Sequence, residues 1–390
     1  MTSENIDSWI NSNKDFIINL RRWLHKNPEL GFEEFKTSEY LIELLSSKGY
    51  KVVQNSKMKT GFYCDYKKSS DMLAIRTDMD ALAIYEKNPN IDYQSLNSGI
   101  MHACGHDAHM AIVASVAIYF KENNIPIDGG VRFIFQPAEE KAPGGALSMI
   151  EGGAIDGISN VIGCHVYPKI KAGKIAVKHG PMAATVELID IQLEGMGGHT
   201  SRPNESVDLV WAQSQLVNLL EQSINHNIDH QEPVVLAFGK IEGGFAHNVL
   251  PDKINLFGTL RYLNPGIKDE LYSKIEDSIK SISRLTNAKI KWSSTYACPG
   301  VINDEKITNL ISSSSKSAIG ESNVETLKTS SMGGEDFAYY LEKIPGAYFR
   351  IGSYDGNAED IHTSDFNVDE ECLFAGIKVF SSIIKNYFKS

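Results

Sequence analysis

Hydrophobic residues recur at helical spacing near the start of the chain. Ile6, Trp9, Ile10, Phe16, Ile17, Leu20, Trp23 and Leu24 fall on one stripe and predict an amphipathic helix over 6–24. Pro28 ends it, and a second helix is expected from about Glu33 to just before Gly49. Short apolar runs then alternate with helix-length segments. "MLAIRT" (72–77), "VRFIFQ" (131–136) and "VIGCHV" (161–166) read as strands, and "AHMAIVASVAIYF" (108–120) as a helix packed on both sides. Strands that are apolar throughout, interleaved with helices, predict an α/β domain: a mostly parallel sheet with helices on both faces.

The period changes after "KHGPMAA" (178–184). "TVELIDIQLEG" (185–195), a helix from about Val207 to Ser223, "PVVLAFGKIEGG" (233–244), "KINLFGTLRYL" (253–263), a helix from about Pro265 to Leu285 and "AKIKWSSTYA" (288–297) follow in the order βαββαβ. That order predicts an α+β insertion, an antiparallel sheet with two helices on one face. The first pattern resumes after Gly300, with a helix near 304–318, a strand at "GAYFRIG" (346–352) and a last helix from about Asp369 to Tyr387. The expected division is a discontinuous domain, 1–182 with 298–390, and an inserted domain, 183–297.

Length supports the division, because 390 residues exceed what one core usually holds. The net charge of −11 disfavours nucleic acid and anionic lipid as partners. No apolar run approaches the roughly 18 residues of a membrane span, and "MTSENIDSWINSNK" lacks the basic and apolar regions of a secretory signal. The five cysteines, Cys64, Cys104, Cys164, Cys298 and Cys372, are too sparse and irregular for a disulfide framework. A reduced, cytoplasmic protein is the expectation.

The chemistry is concentrated in "MHACGHDAH" (101–109). Cys104 and His106 lie at the start of the expected 108–120 helix, whose N-terminus favours a thiolate. A thiolate and an imidazole two residues apart can reach one metal. Alone, the pair reads equally as a buried cysteine beside a surface histidine. However, "QPAEE" (136–140) puts Glu139 and Glu140 directly after an apolar strand, where open α/β sheets place their sites. On an extended backbone the two would point opposite ways, one toward a metal and one toward water. Metal-assisted hydrolysis needs that division. His165 ends another strand in "GCHVYP", Asp78 and Asp80 follow another in "RTDMDAL", and His362 follows a fifth in "IHTSDF". Asp78 could orient a ligand imidazole. So many polar clusters, each after an apolar strand, point to a metal site.

Together "RTDMDAL", "MHACGHDAHMA", "QPAEE", "GGHTSRP", "NVLPD", "GTLR", "GGEDFA" and "IHTSDF" resemble the ordered motifs of the M20 metallopeptidase family. The match is closest to its amidohydrolase branch, which includes hippurate hydrolases, N-acyl-amino-acid deacylases and N-acetyldiaminopimelate deacetylases, and it runs from about Leu24 to Phe380. The resemblance implies two divalent ions (zinc, manganese, cobalt or nickel) held by Cys104, His106, Glu140, His165 and His362, with Cys104 bridging. It implies Glu139 as general base and Asp78 as the supporting carboxylate. The family's His-x-Asp is matched to Arg76-Thr77-Asp78, so His106 supplies the missing imidazole. His102, His109 and Asp107 take packing or supporting roles, and Cys164 is core. The inserted domain resembles the family's lid and dimerisation domain, so a homodimer is implied. There His199 contacts the scissile carbonyl, Asn248 and Arg261 suit a free α-carboxylate, and Gly333 and Gly334 let backbone approach substrate. Ala83 and the loop 139–146 depart from the branch near the pocket mouth. The implied activity is hydrolysis of the amide of an N-acyl amino acid. Two other readings stand beside it: a dipeptidase or carboxypeptidase of the same family, and a metal-binding or thiol-redox protein without hydrolytic activity.

Overall fold

The computed structural model describes residues 5–89, 91–354, 356 and 360–389. The chain forms two units, one of Met1–Met182, Val301–Thr329 and Asp336–Ser390, the other of Ala183–Gly300 and Ser330–Glu335.

An eight-stranded sheet organises the first unit. Its order is Val52–Val53, Phe62–Tyr66, Gly130–Gln136, Met72–Asp78, Asn160–Lys171, Gly346–Tyr354, Ile175–Val177, Val324–Thr326. The four central strands run parallel, while the flanking pairs include antiparallel ones. Met72–Asp78 and Gly130–Gln136 are buried at every residue, as a sheet covered on both faces requires. The helix His106–Glu122 is buried from His106 through Phe120, which accounts for its lack of a polar stripe. It packs between the sheet and the helices Lys14–Lys26 and Glu371–Tyr387.

Two expectations change here. The stripe over 6–24 is two helices, Ile6–Ser12 and Lys14–Lys26. Asn13 separates them, donating its side-chain amide to Trp9 O (2.8 Å) while its own carbonyl starts the second helix. His165 does not end its strand, which runs on to Lys171.

The second unit holds a four-stranded antiparallel sheet in the order Val234–Gly243, Lys253–Tyr262, Thr185–Glu194, Lys289–Cys298. Helices Leu209–Asn227 and Lys268–Thr286 share a core with Ile189, Ile191 and Leu193, whereas Leu188 and Asp190 on the alternate face are exposed. Residues 330–335, outside the expected 183–297, belong to this unit. Gly333 O accepts from Ala184 N–H (3.2 Å), and Met332 O from Arg261 Nη1 (2.8 Å). Among the described residues no helix is long and apolar enough to cross a membrane.

Candidate metal centre

Cys104 precedes the helix that His106 begins, and Gly105 between them has φ +83°. A Cβ on Gly105 would lie 2.4 Å from Val166 Cγ2, so only glycine lets the thiol and the imidazole converge here. Cys104 Sγ stands 3.1 Å from His165 Nε2. Donor atoms of Cys104, His106 and His165 lie within 4.8 Å of one another. The same holds for Cys104, Glu140 and His362, and for His106, Glu139 and Glu140. The structure therefore brings together all five residues expected to bind metal, with Glu139 beside them, and Cys104 belongs to two of the groups. His362 enters from a loop with φ +65°, pinned by its N–H to Ala103 O (2.8 Å).

Hydrogen bonds choose the imidazole tautomers. His106 Nδ1–H donates to Asp80 O (2.8 Å), and its Nε2 is buried with no hydrogen-bond partner among the described residues. His165 Nδ1–H donates to Val166 O (2.7 Å), turning its Nε2 lone pair toward Cys104. Each ring is thus pre-set to present Nε2 to a cation.

Asp78 was expected to orient a ligand imidazole, and the structure gives that task to Asp80. Asp78 accepts from His109 Nδ1 (2.7 Å) and Arg76 Nη1 (2.6 Å), and its carboxylate is 3.9 Å from His106. His109 Nε2 in turn accepts from Val166 N–H (2.8 Å), so His109 has no lone pair left for a metal and ties two strands together. Asp80 holds His106 through its carbonyl and, 3.3 Å away, its carboxylate. The same carboxylate accepts from the backbone N–H groups of Glu139 (3.0 Å) and Glu140 (2.9 Å). These glutamates sit in a turn, not on extended backbone. Where each side chain points is set by the turn, with Ala138 ahead of them at φ +50°.

The electrostatics suit a bound cation. Burial and the charges of Glu140 and Glu139 push the Cys104 thiol well above its ordinary value, so the helix start does not by itself produce a thiolate. Burial opposes the His106 imidazolium, but Asp78, Asp80 and Glu140 outweigh it and push the group up to about 10. Burial and the neighbouring His109 hold His165 well below its usual value. A cation bound here displaces protons from Cys104 and His106. Of the supporting residues, His102 is buried and neutral, pushed down to about 3 mainly by burial. Asp107 pairs with Arg21 Nε and His25 Nδ1, both at 2.8 Å.

The remaining expected residues lie in the second unit. His199 pairs with Val249 in a two-stranded ladder that sets it beside Asn248. Ser201 N–H donates to His199 Nδ1 (3.1 Å), so Nδ1 is the accepting nitrogen and Nε2 the one that carries a proton. Arg261 makes no ion pair among the described residues; its Nη1 donates to Met332 O. Gly334 is tight against its own unit, since a Cβ would lie 2.7 Å from Cys298 Sγ. Packing accounts for that glycine. Gly333 has only Ser331 Oγ close, at 3.1 Å.

A model of peptidase family M20/M25/M40 matches residues 74–386. The N-acetyl-L-cysteine deacetylase of Bacillus subtilis is 37% identical over 362 residues, spanning 92% of this chain and 84% of its own. The N-acyl-L-amino acid amidohydrolase of Geobacillus stearothermophilus is 36% identical over 304 residues, spanning 78% and 82%. The crystal structure of a dinuclear metal-binding peptidase of the M20 family from Bacillus subtilis has a TM-score of 0.84 at 30% identity, covering 97% of this chain and 99% of that one.

Replacing Asp80 by Ala is expected to weaken metal binding about 10- to 100-fold, the usual effect of losing a group that orients a ligand. Chelator competition measures it. Unchanged affinity in a folded variant would remove Asp80 from the site.

Proposed function

Because the chain belongs to peptidase family M20/M25/M40, we propose that it is a metal-dependent amidohydrolase that cleaves N-acyl amino acids into a carboxylic acid and a free amino acid. The observation that carries this reading is the meeting of Cys104, His106, Glu140, His165 and His362 around one thiol, with Glu139 at the same place. The names of the deacetylase and amidohydrolase relatives support the substrate class. One thiol, three imidazoles and a carboxylate suit two divalent ions such as zinc, and also manganese, cobalt or nickel. The Nε2 of His106, buried and without a hydrogen-bond partner among the described residues, is placed to take such an ion in exchange for its proton. A structural neighbour described as a dinuclear metal-binding peptidase supports the number two, and Cys104, common to two of the donor groups, would serve both ions.

Divalent ions held by these residues would supply a lowered pKa of water and polarisation of the amide carbonyl. Glu139 takes the proton from the attacking water and delivers it to the leaving amine. His199 donates its Nε2–H to the carbonyl oxygen as negative charge develops there. Arg261, a guanidinium with donors to spare, takes the α-carboxylate in a two-pronged contact, with Asn248 beside it. Gly333 gives backbone access to the same end of the substrate. Asp78 acts at one remove, by holding His109 against Val166 N–H.

We also place the enzyme in the cytoplasm, where its five free cysteines stay reduced. We further propose a homodimer formed through the second unit, whose edge strand Val234–Gly243 exposes Val235 and Ile241 and whose helix exposes Val210 and Trp211.

Three outcomes are expected. Glu139→Gln keeps its metal and loses about 10²- to 10⁴-fold in kcat, the usual cost of a missing base, whereas Glu140→Gln loses metal as well; equal metal loss in both would reverse the assignment. An N-acyl amino acid should be hydrolysed far better than its α-amide by the wild type, and Arg261→Ala should abolish that preference; a preference that survives the substitution excludes Arg261 as the anchor. Light scattering at micromolar concentration should show a dimer, and a fully active monomer would end that proposal.

A further inference from the structure

Glu34 is fully buried at the start of the helix Phe35–Ser47, a place where a side chain ordinarily caps the helix's own N–H groups. Glu34 does not cap them. Its backbone carbonyl accepts from Ser38 N–H (2.9 Å), but the capping is done by Glu29, whose carboxylate takes Lys36 N–H (3.2 Å), Thr37 N–H (2.9 Å) and Thr37 Oγ1–H (2.9 Å). The Glu34 carboxyl is thereby free to leave the helix. One oxygen accepts from Ala138 N–H (2.8 Å), the other from Thr60 Oγ1–H (2.6 Å).

These contacts join three backbone segments that share an uncommon conformation. Phe32 (φ +66°), Lys59 (φ +56°) and Ala138 (φ +50°) are all left-handed without being glycine. Such residues persist where their surroundings over-determine them, and they gather at functional sites. Ala138 stands one residue before Glu139 and two before Glu140. The chain around Glu34 also lies against the centre from a second side: a Cβ on Gly31 would meet Ala138 Cβ at 3.0 Å and Asp80 Oδ2 at 3.3 Å. Ala81 N–H donates to Glu29 O (2.8 Å).

We propose that Glu34 is a positioning residue of the metal centre: its carboxyl locks the turn 137–140 in the left-handed entry that sets where Glu139 and Glu140 point. Asp80 holds the two glutamate N–H groups and Glu34 holds the one before them, so three successive amides of the turn are anchored to carboxylates. The inference rests on the hydrolase reading for its effect on turnover, but the clasp itself is a statement about the turn. Burial, reinforced by the Asp80 charge, pushes the Glu34 carboxyl up to about 7. Glutamine therefore copies a state the site already tolerates: its carbonyl can accept from Ala138 and its amide can donate to Thr60 Oγ.

The test compares Glu34→Gln and Glu34→Ala by amide hydrogen exchange of 137–145, metal affinity by chelator competition, and kcat. Glu34→Ala should exchange at least about tenfold faster within 137–140, as expected when a local opening becomes easier. It should bind metal about tenfold more weakly, the effect of losing a supporting group, and turn over more slowly, while Glu34→Gln restores all three readouts. Should Glu34→Ala not fold, Thr60→Val, which removes one of the two contacts, should show the same local exchange in milder form. Wild-type exchange and wild-type metal affinity in Glu34→Ala would overturn the proposal. Faster exchange spread over the whole first unit would overturn it too, because that reports lost stability, not a released turn. A wild type inactive on every N-acyl amino acid would sink the hydrolase reading and leave exchange and metal affinity to judge Glu34.

Discussion

The carboxylate of Asp80 is the point on which the metal centre hangs. It receives the N–H groups of Glu139 and Glu140, and the same residue's carbonyl receives the Nδ1–H of His106. Three segments far apart in sequence are thereby held in one arrangement. Charge-assisted bonds from a buried carboxylate are roughly twice as strong as neutral ones, and a lost partner leaves a buried group unsatisfied. The candidate ligands brought together around that anchor include Cys104, Glu140 and His362, whose donor atoms lie within 4.8 Å of one another.

Below that point the buried charges are paired. Arg76 spans Asp78 (2.6 Å), Gln136 (2.9 Å) and Asp336 (2.7 Å), joining the ends of two central strands to a residue some 260 positions later. Asp336 Oδ2 also takes Ala146 N–H (3.0 Å), which anchors the far end of the loop that starts at Ala138. At the helix start, His25 stands between Asp107 (2.8 Å) and Glu86 (3.0 Å). Burial and Arg21 oppose its protonation, yet the two carboxylates raise it above the ordinary histidine value. The imidazolium's contribution to stability is therefore complete below the unfolded value and fades as pH rises through the folded one. Removing one partner from a buried pair of this kind costs about 3–5 kcal/mol.

The second unit works by different means. Its sheet buries one face under two helices, while Leu188 and Asp190 on the other face are exposed. Ser201 sets the His199 tautomer. Met332 O aims Arg261 without neutralising it, because a carbonyl accepts a proton but carries no charge.

The period of the hydrophobic pattern determined the parallel sheet, the all-apolar helix and the βαββαβ insertion, because burial on one or two faces is written directly into residue spacing. The residue types after the apolar strands determined the metal-binding chemistry. Only the tertiary structure decided which carboxylate does which work. Asp78 and Asp80 are equivalent in the string "RTDMDAL", and their roles separate because the strand stops at Asp78 and the chain turns Asp80 toward His106. The break at Asn13 and the run of the His165 strand on to Lys171 depend on capping bonds and strand pairing that spacing does not encode. No sequence motif singles out Glu34, since its partners, Thr60 and Ala138, are 26 and 104 residues away. A side chain's partners at that separation are set by how the strands stack, and no local pattern carries them.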